Sequence, residues 1–212
     1  LGSPRQHIPL RRQRARERIG LAVWEHWRRT ILPELGQPAS RLILFQVSLA
    51  DFPTDLPAFF RQRVRSMLLD EVIHTDGLSH EQMIGDSQLQ AFAAHFPELT
   101  ALDIRRGHWN MGLPQMLTRA WPGLSALGLR EIFIILGEQD FKALSALKQL
   151  RWLDLRGMQL VDMPDTALDG LTLDYLGLDW MGLQTWPRWL HNGALARIGE
   201  LSLLGNHLSE LP

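Results

Sequence analysis

A pair of aliphatic residues two positions apart, Leu-x-Leu, returns along this chain at a nearly constant interval. No other feature constrains the fold as strongly. The last copy is the clearest: residues 201–212 read LSLLGNHLSELP, or Leu-x-Leu-x-x-Asn-x-Leu-x-x-Leu-Pro. Less regular copies begin at Leu42, Met67, Leu102, Leu127, Leu153 and Leu176, so successive starts lie 25, 35, 25, 26, 23 and 25 residues apart. Five of those intervals fall within the roughly 20–29 residues of a short strand-and-return unit. The 35-residue interval predicts an insertion or a degenerate copy between Asp70 and Phe96. One such unit cannot bury its own leucines, so the copies must stack.

Alternation along a strand points the two aliphatic residues of each copy inward and the intervening residues outward. Parallel stacking then aligns the outward residues in columns. One column is Phe45, Asp70, Arg105, Arg130, Arg156, Asp179 and Leu204, and its neighbour is Ile43, Leu68, Asp103, Gly128, Asp154, Gly177 and Ser202. Residues 58–64, 115–120, 141–150 and 188–195 are expected to return as helices. The turn position that holds Asn206 in the last copy holds Val47, Val72, Gly107, Ile132, Met158 and Met181 in the others. Backbone groups there need other partners, from backbone or water, and looser repeats are expected toward the N-terminus.

Residues 4–40 have a different character. Arg11, Arg12, Arg14, Arg16 and Arg18 form a basic run, while Ala15, Ile19, Val23, Trp27 and Ile31 recur every four residues. This spacing predicts an amphipathic helix capping the first repeat, ended by Pro33 and Gly36. Residues 1–3, Leu-Gly-Ser, read as the remnant of a cleaved tag, and residues 41–212 as about seven repeats. Because the chain ends at a repeat boundary without a polar cap, the expectation is a piece of a longer protein.

Composition narrows the function. A net charge of −1 gives no general attraction to nucleic acid, and no apolar run is long enough to span a membrane. The absence of cysteine excludes disulfides, thiolate catalysis and zinc-finger ligation, and favours a reducing compartment. Only Lys142 and Lys148 are lysine, against 20 arginines, which is expected of a GC-rich, bacterial coding sequence, the competing reading being selection against ubiquitin-acceptor lysines.

The sequence contains no HExxH, GxSxG, P-loop or GxGxxG pattern, and no catalytic residues are assigned. His74 and His80, with Asp70, Asp76, Glu81 and Asp86 in the long interval, read as a solvated loop rather than a metal site. No cofactor is expected. The candidate site is a partner-binding face comprising Arg105, Arg130, Arg156, Asp103, Asp154, Asp179, Trp152, Tyr175 and Trp180, because arginine, tryptophan and tyrosine dominate protein interfaces. The competing expectation is a self-neutralising charge lattice in which the aspartates, with Glu131, balance the arginines.

The repeats over residues 41–212 resemble the leucine-rich-repeat superfamily. Leu208 to Pro212, together with Phe52-Pro53, Met163-Pro164 and Trp186-Pro187, is similar to the repeats of bacterial secreted effectors, the effector ubiquitin ligases among them. The resemblance implies an α/β solenoid with a curved parallel sheet on its concave face, helices and turns on its convex face, and an N-terminal helical cap. It implies a host protein as partner and action in the host cytoplasm. A catalytic ligase domain would lie outside this cysteine-free chain, which is itself expected to be no enzyme. The alternative is a regulatory domain that packs on its own catalytic domain and inhibits it. Oligomeric state is left open.

Overall fold

Each aliphatic pair takes part in one continuous parallel ladder. The computed structural model describes residues 16–24, 41–53, 55–75, 81–161 and 163–210. In chain order the elements are a helix, α1 (residues 16–24), then β1 (Leu42–Phe45), α2 (Ala58–Arg61), β2 (Ser66–Asp70), β3 (His74–Thr75), β4 (Glu81–Gln82), α3 (Asp86–Ala93), β5 (Ala101–Arg105) and α4 (Leu113–Ala120). They continue with β6 (Ala126–Arg130), β7 (Ile135–Leu136), α5 (Glu138–Leu144), β8 (Trp152–Asp154), β9 (Gln159–Leu160), β10 (Leu173–Gly177), α6 (Asn192–Leu195) and β11 (Ile198–Ser202).

Seven strands form one sheet in the order β1-β2-β5-β6-β8-β10-β11, each main strand lying beside the one before it. The register pairs Leu42 with Met67, Met67 with Leu102, and Leu102 with Leu127. It continues from Leu127 to Leu153, Leu176 and Leu201. All but the last are buried, and Leu201 on the terminal strand packs partly against the core. The second spine, through Leu44, Leu69, Ile104, Leu129, Leu155 and Leu178, is fully buried. Helices cover the inner side: α3 packs on α4 and α4 on α5. Glycine stands at the N-cap of each, as Gly85, Gly112 and Gly137. The N–H of Gly137 donates to Asp140 Oδ2 at 2.9 Å, which closes the first turn of α5.

Within the stretch read as a solvated loop, residues 70–86, the described part holds the antiparallel pair β3–β4, and α3 follows with Leu89, Phe92 and Ala93 buried. Phe92 and Phe96 join Phe52 and Trp121 in an aromatic cluster, with ring centroids 5.0–6.5 Å apart. The Trp121 indole N–H donates to the Phe96 carbonyl at 2.9 Å and ties two repeats together. The metal-binding alternative involves His80 and Asp76, which lie outside the described residues. Elsewhere the return helices run Ala58–Arg61, Leu113–Ala120 and Glu138–Leu144, while residues 188–195 divide into a 3-10 turn, Arg188–Leu190, and α6.

The seven turns after the strands share one conformation. Gln46, Glu71, Arg106, Glu131, Gly157, Trp180 and Gly205 all have φ between 50° and 74°. Each directly follows the last outward residue of its repeat, where the chain must leave the ladder. Five of the seven are not glycine, and each carries left-handed strain of the order of 1 kcal/mol that the surrounding stack must hold.

Asn206 acts as the sequence suggests: its Oδ1 accepts from the N–H groups of Met181 and Leu183, and its Nδ2 donates to the carbonyls of Leu178 and Leu203. Earlier repeats, with apolar residues or glycine at that position, pair backbone with backbone instead. Ser48 bridges to Ile73, Ile84 to Trp109, and β7 runs parallel to β9.

Within α1, Ile19 is buried and Ala22 and Val23 pack against the core, while the Arg18 guanidinium donates to the Gln46 carbonyl at 3.1 Å. The predicted helix extends to Trp27 and Ile31, which lie outside the described residues, as do Arg11, Arg12 and Arg14.

Candidate functional site

On the side of the sheet away from the helices, the register builds the columns expected from alternation. Ile43, Leu68, Asp103, Gly128, Asp154, Gly177 and Ser202 are successive Cα partners. Asp70, Arg105 and Arg130 pair likewise. Arg156 and Asp179 fall just past β8 and β10, yet their carbonyls continue the ladder by accepting from the N–H groups of Glu131 and Gly157. A third column holds Ser66, Ala101, Ala126, Trp152, Tyr175 and Glu200.

The predicted aspartates form the floor of this face and not its contact surface. Asp103, Asp154 and Asp179 are buried, with only 1–2% of each accessible. Buried carboxylates need partners, and the arginines provide them. Asp103 Oδ2 accepts from Arg105 at 3.0 Å and from Arg41 at 2.9 Å. Arg130 Nε lies 2.9 Å from Asp154 Oδ2 and 3.5 Å from Asp103 Oδ1, so it bridges two carboxylates from adjacent repeats. Arg156 donates to Asp179 Oδ2 at 3.0 Å, and Asp179 Oδ1 also accepts from the Ser202 hydroxyl and the Leu204 N–H. The three aspartates and the arginines therefore form a lattice of ion pairs that offsets repulsion among neighbouring arginines. Arg105 and Arg156 keep more than a third of their side chains in solvent, whereas Arg130 keeps 19%.

Two glycines make the lattice possible. A Cβ on Gly128 would stand 2.6 Å from Asp103 Oδ1, and one on Gly177 would stand 2.8 Å from Asp154 Oδ1 and 2.9 Å from the Tyr175 hydroxyl. Each carboxylate thus lies over the glycine of the next repeat. Burial pushes the Asp154 carboxyl above the ordinary carboxylate range, and the Arg130 charge and the Arg156 N–H only partly oppose it. A second cluster lies alongside: Arg106 donates to Asp70 at 2.7 Å and pairs with Glu71.

The aromatic residues separate into two places. Trp152 and Tyr175 stack with centroids 5.1 Å apart and planes 13° from parallel, and the Arg130 guanidinium lies over the Trp152 ring, 5.5 Å from its centroid. These three residues come from β6, β8 and β10, one layer per strand. Trp180 belongs elsewhere. It occupies a left-handed turn position, is 61% exposed, and rests its ring over Gly205.

Arg41, Gly128, Gly177, Ser202 and Glu200 complete the face without having been picked as site residues from the sequence. For Gly128, Gly177 and Glu200 the signal is positional, because each is the Cα partner of a candidate site residue. Among the described residues, no group of three or more His, Cys, Asp or Glu side chains is placed to hold a metal, and no helix is long and apolar enough to cross a membrane.

No family model matches the chain, and no curated protein matches it. Among solved structures, the chain is similar to one described as the crystal structure of a TLR13–ssRNA13 complex, with 14% identity and a TM-score of 0.30. That similarity covers 82% of this chain and 39% of the other, so the chain spans about two-fifths of that protein's length.

Proposed function

We propose that this chain is a leucine-rich-repeat solenoid that binds another protein through its open sheet face, and that it serves as the recognition region of a bacterial secreted effector. The effector part of this reading rests on the repeat endings, the helix before the repeats and the lysine-poor, cysteine-free composition. The binding part rests on one observation: the Arg130–Trp152–Tyr175 stack. A sheet with two buried aliphatic spines needs no large aromatics on its solvent side, and arginine, tryptophan and tyrosine are the side chains that most often anchor an interface.

Binding is tested by partner capture from eukaryotic cell lysate. The immobilised protein is compared with Trp152→Ala, with the pair Arg105→Gln and Arg156→Gln, and with the helix-side control Lys148→Glu. Circular dichroism verifies the fold of each. A partner should be retained by the control and lost about tenfold or more with the face variants, as for anchors worth about 2 kcal/mol. Equal retention by all folded variants would remove the face from the account.

A further inference from the structure

The stack on the open face has a vacant end. Its layers follow the strands: Arg130 from β6, Trp152 from β8 and Tyr175 from β10. Adjacent strands lie about 4.8 Å apart, close to the separation of stacked planar groups. The next strand, β11, sets Glu200 opposite Tyr175 and Ser202 opposite Gly177. Among the described residues, the one ring stacked on Tyr175 is Trp152, so the ring face toward β11 carries no aromatic layer. The Glu200 side chain is exposed and forms no hydrogen bond or ion pair among the described residues.

The occupied end shows what chemistry such a place accepts. There a guanidinium lies on an aromatic face and meets a carboxylate 2.9 Å away. Over β11 the same two elements, an aromatic face and a carboxylate, stand together without the cation. Burial holds the Tyr175 hydroxyl protonated to higher pH than usual, so the ring stays neutral. Guanidinium suits the gap better than ammonium, because its plane stacks on a ring while its edge pairs with a carboxylate.

We propose that the protein partner inserts an arginine side chain over β11, stacked on the outer face of Tyr175 and paired with Glu200, as the fourth layer of the Arg130–Trp152–Tyr175 stack. This specifies the partner of the open face and rests on the protein-binding reading above. It makes the face bipolar: arginines of its own toward the N-terminal strands, and a receptor for a foreign arginine at the C-terminal one.

Tyr175 is the single tyrosine of the chain, which makes the site directly observable. The protein is produced with 3-fluorotyrosine and its one fluorine resonance is followed by NMR while N-acetyl-arginine-N-methylamide is added. Parallel titrations use the neutral citrulline analogue and N-acetyl-aspartate-N-methylamide. The arginine compound should shift the resonance saturably and the other two should not. Glu200→Gln, an exposed and conservative change, should weaken that binding about threefold to fivefold, the effect of losing one exposed ion pair. No saturable shift with arginine, an equal response to citrulline, or undiminished binding in Glu200→Gln would each overturn the proposal. If it falls while the face variants still lose their captured protein, the binding role of the face stands and only the arginine receptor is lost.

Discussion

Trp121→Ala is expected to be the most destabilising single truncation in the core, lowering unfolding free energy by about 3–5 kcal/mol from the lost ring. The orphaned Phe96 carbonyl adds about 1 kcal/mol or more. Trp121 is 2% exposed, meets Phe92 edge-on at 6.5 Å, and reaches across to the preceding repeat with its indole N–H. Its position explains the size of the effect. The inserted segment lies just before it, so α3 depends on this ring for its attachment to the regular stack. In stacked repeats each unit contacts only its neighbours, so the damage should be local. Hydrogen exchange in Trp121→Ala should accelerate first in α3, β5 and α4, and least in β10 and β11. Trp121→Phe, which keeps a ring but no donor, should lose about 1–3 kcal/mol. Urea unfolding of the two variants checks the order.

Arg130→Ala is expected to cost about 3–5 kcal/mol at neutral pH, the range for removing one partner of a buried pair. Asp154 keeps 2% of its side chain in solvent; Arg130 is its ion-pair partner, and the Arg156 N–H donates to its Oδ1. The loss should also depend on pH, with a definite sign. The folded-state pKa of Asp154 is already raised above its unfolded value, so the folded protein holds a proton more tightly over that interval. Stability from this group therefore falls as pH rises from the ordinary carboxylate value through the raised one. Arg130 is the larger of the influences holding that rise back, ahead of the Arg156 N–H and charge, while Asp179 pushes the other way. Removing it pushes the Asp154 carboxyl further up. The stability difference between wild type and Arg130→Ala should accordingly be small in acid and grow toward neutrality. A difference that stays constant with pH would mean that Asp154 is not the group left exposed to the loss. This structural role is also why charge reversal at Arg130 is a poor probe of binding: a glutamate there would face Asp103 and Asp154 together, and unfolding would hide any effect on a partner.

The spacing of the aliphatic pairs was legible because period two along a strand and period about 25 along the chain are both carried by large, buried side chains. It was enough to align Leu102, Leu127, Leu153, Leu176 and Leu201, and with them the outward columns. The α3 helix was obscured because the longer interval breaks that period, although Leu89, Phe92 and Phe96 already had helical spacing. The depth of Asp103 and Asp154 was illegible for another reason. An outward aspartate is ordinarily solvated, and only the three-dimensional neighbours, an arginine above and a glycine in the next repeat, turn it into a buried one. The left-handed turns at Gln46, Glu71, Arg106, Glu131 and Trp180 left no mark because those residues pay no visible tribute to the conformation; Gly157 and Gly205 alone hinted at it. The residue type that makes Trp180 a candidate interface side chain says nothing of its backbone, and the turn at φ 56° carries its ring away to Gly205.

The parallel register is the claim on which the face, the stack and the vacant layer all depend, and it is open to a direct chemical measurement. Ala101 and Ala126 are Cα partners on β5 and β6, and the chain has no cysteine of its own. Neighbouring strands are about 4.8 Å apart, inside the roughly 4.4–6.8 Å that a disulfide spans between Cα atoms. The double variant Ala101→Cys, Ala126→Cys should therefore close an intramolecular disulfide under mild oxidation while retaining the native circular dichroism spectrum. Ala101→Cys with Glu200→Cys, four strands apart in the sheet order, should not close one. Free thiols at 101 and 126 in a folded protein, or closure of the distant pair instead, would contradict the stacked arrangement.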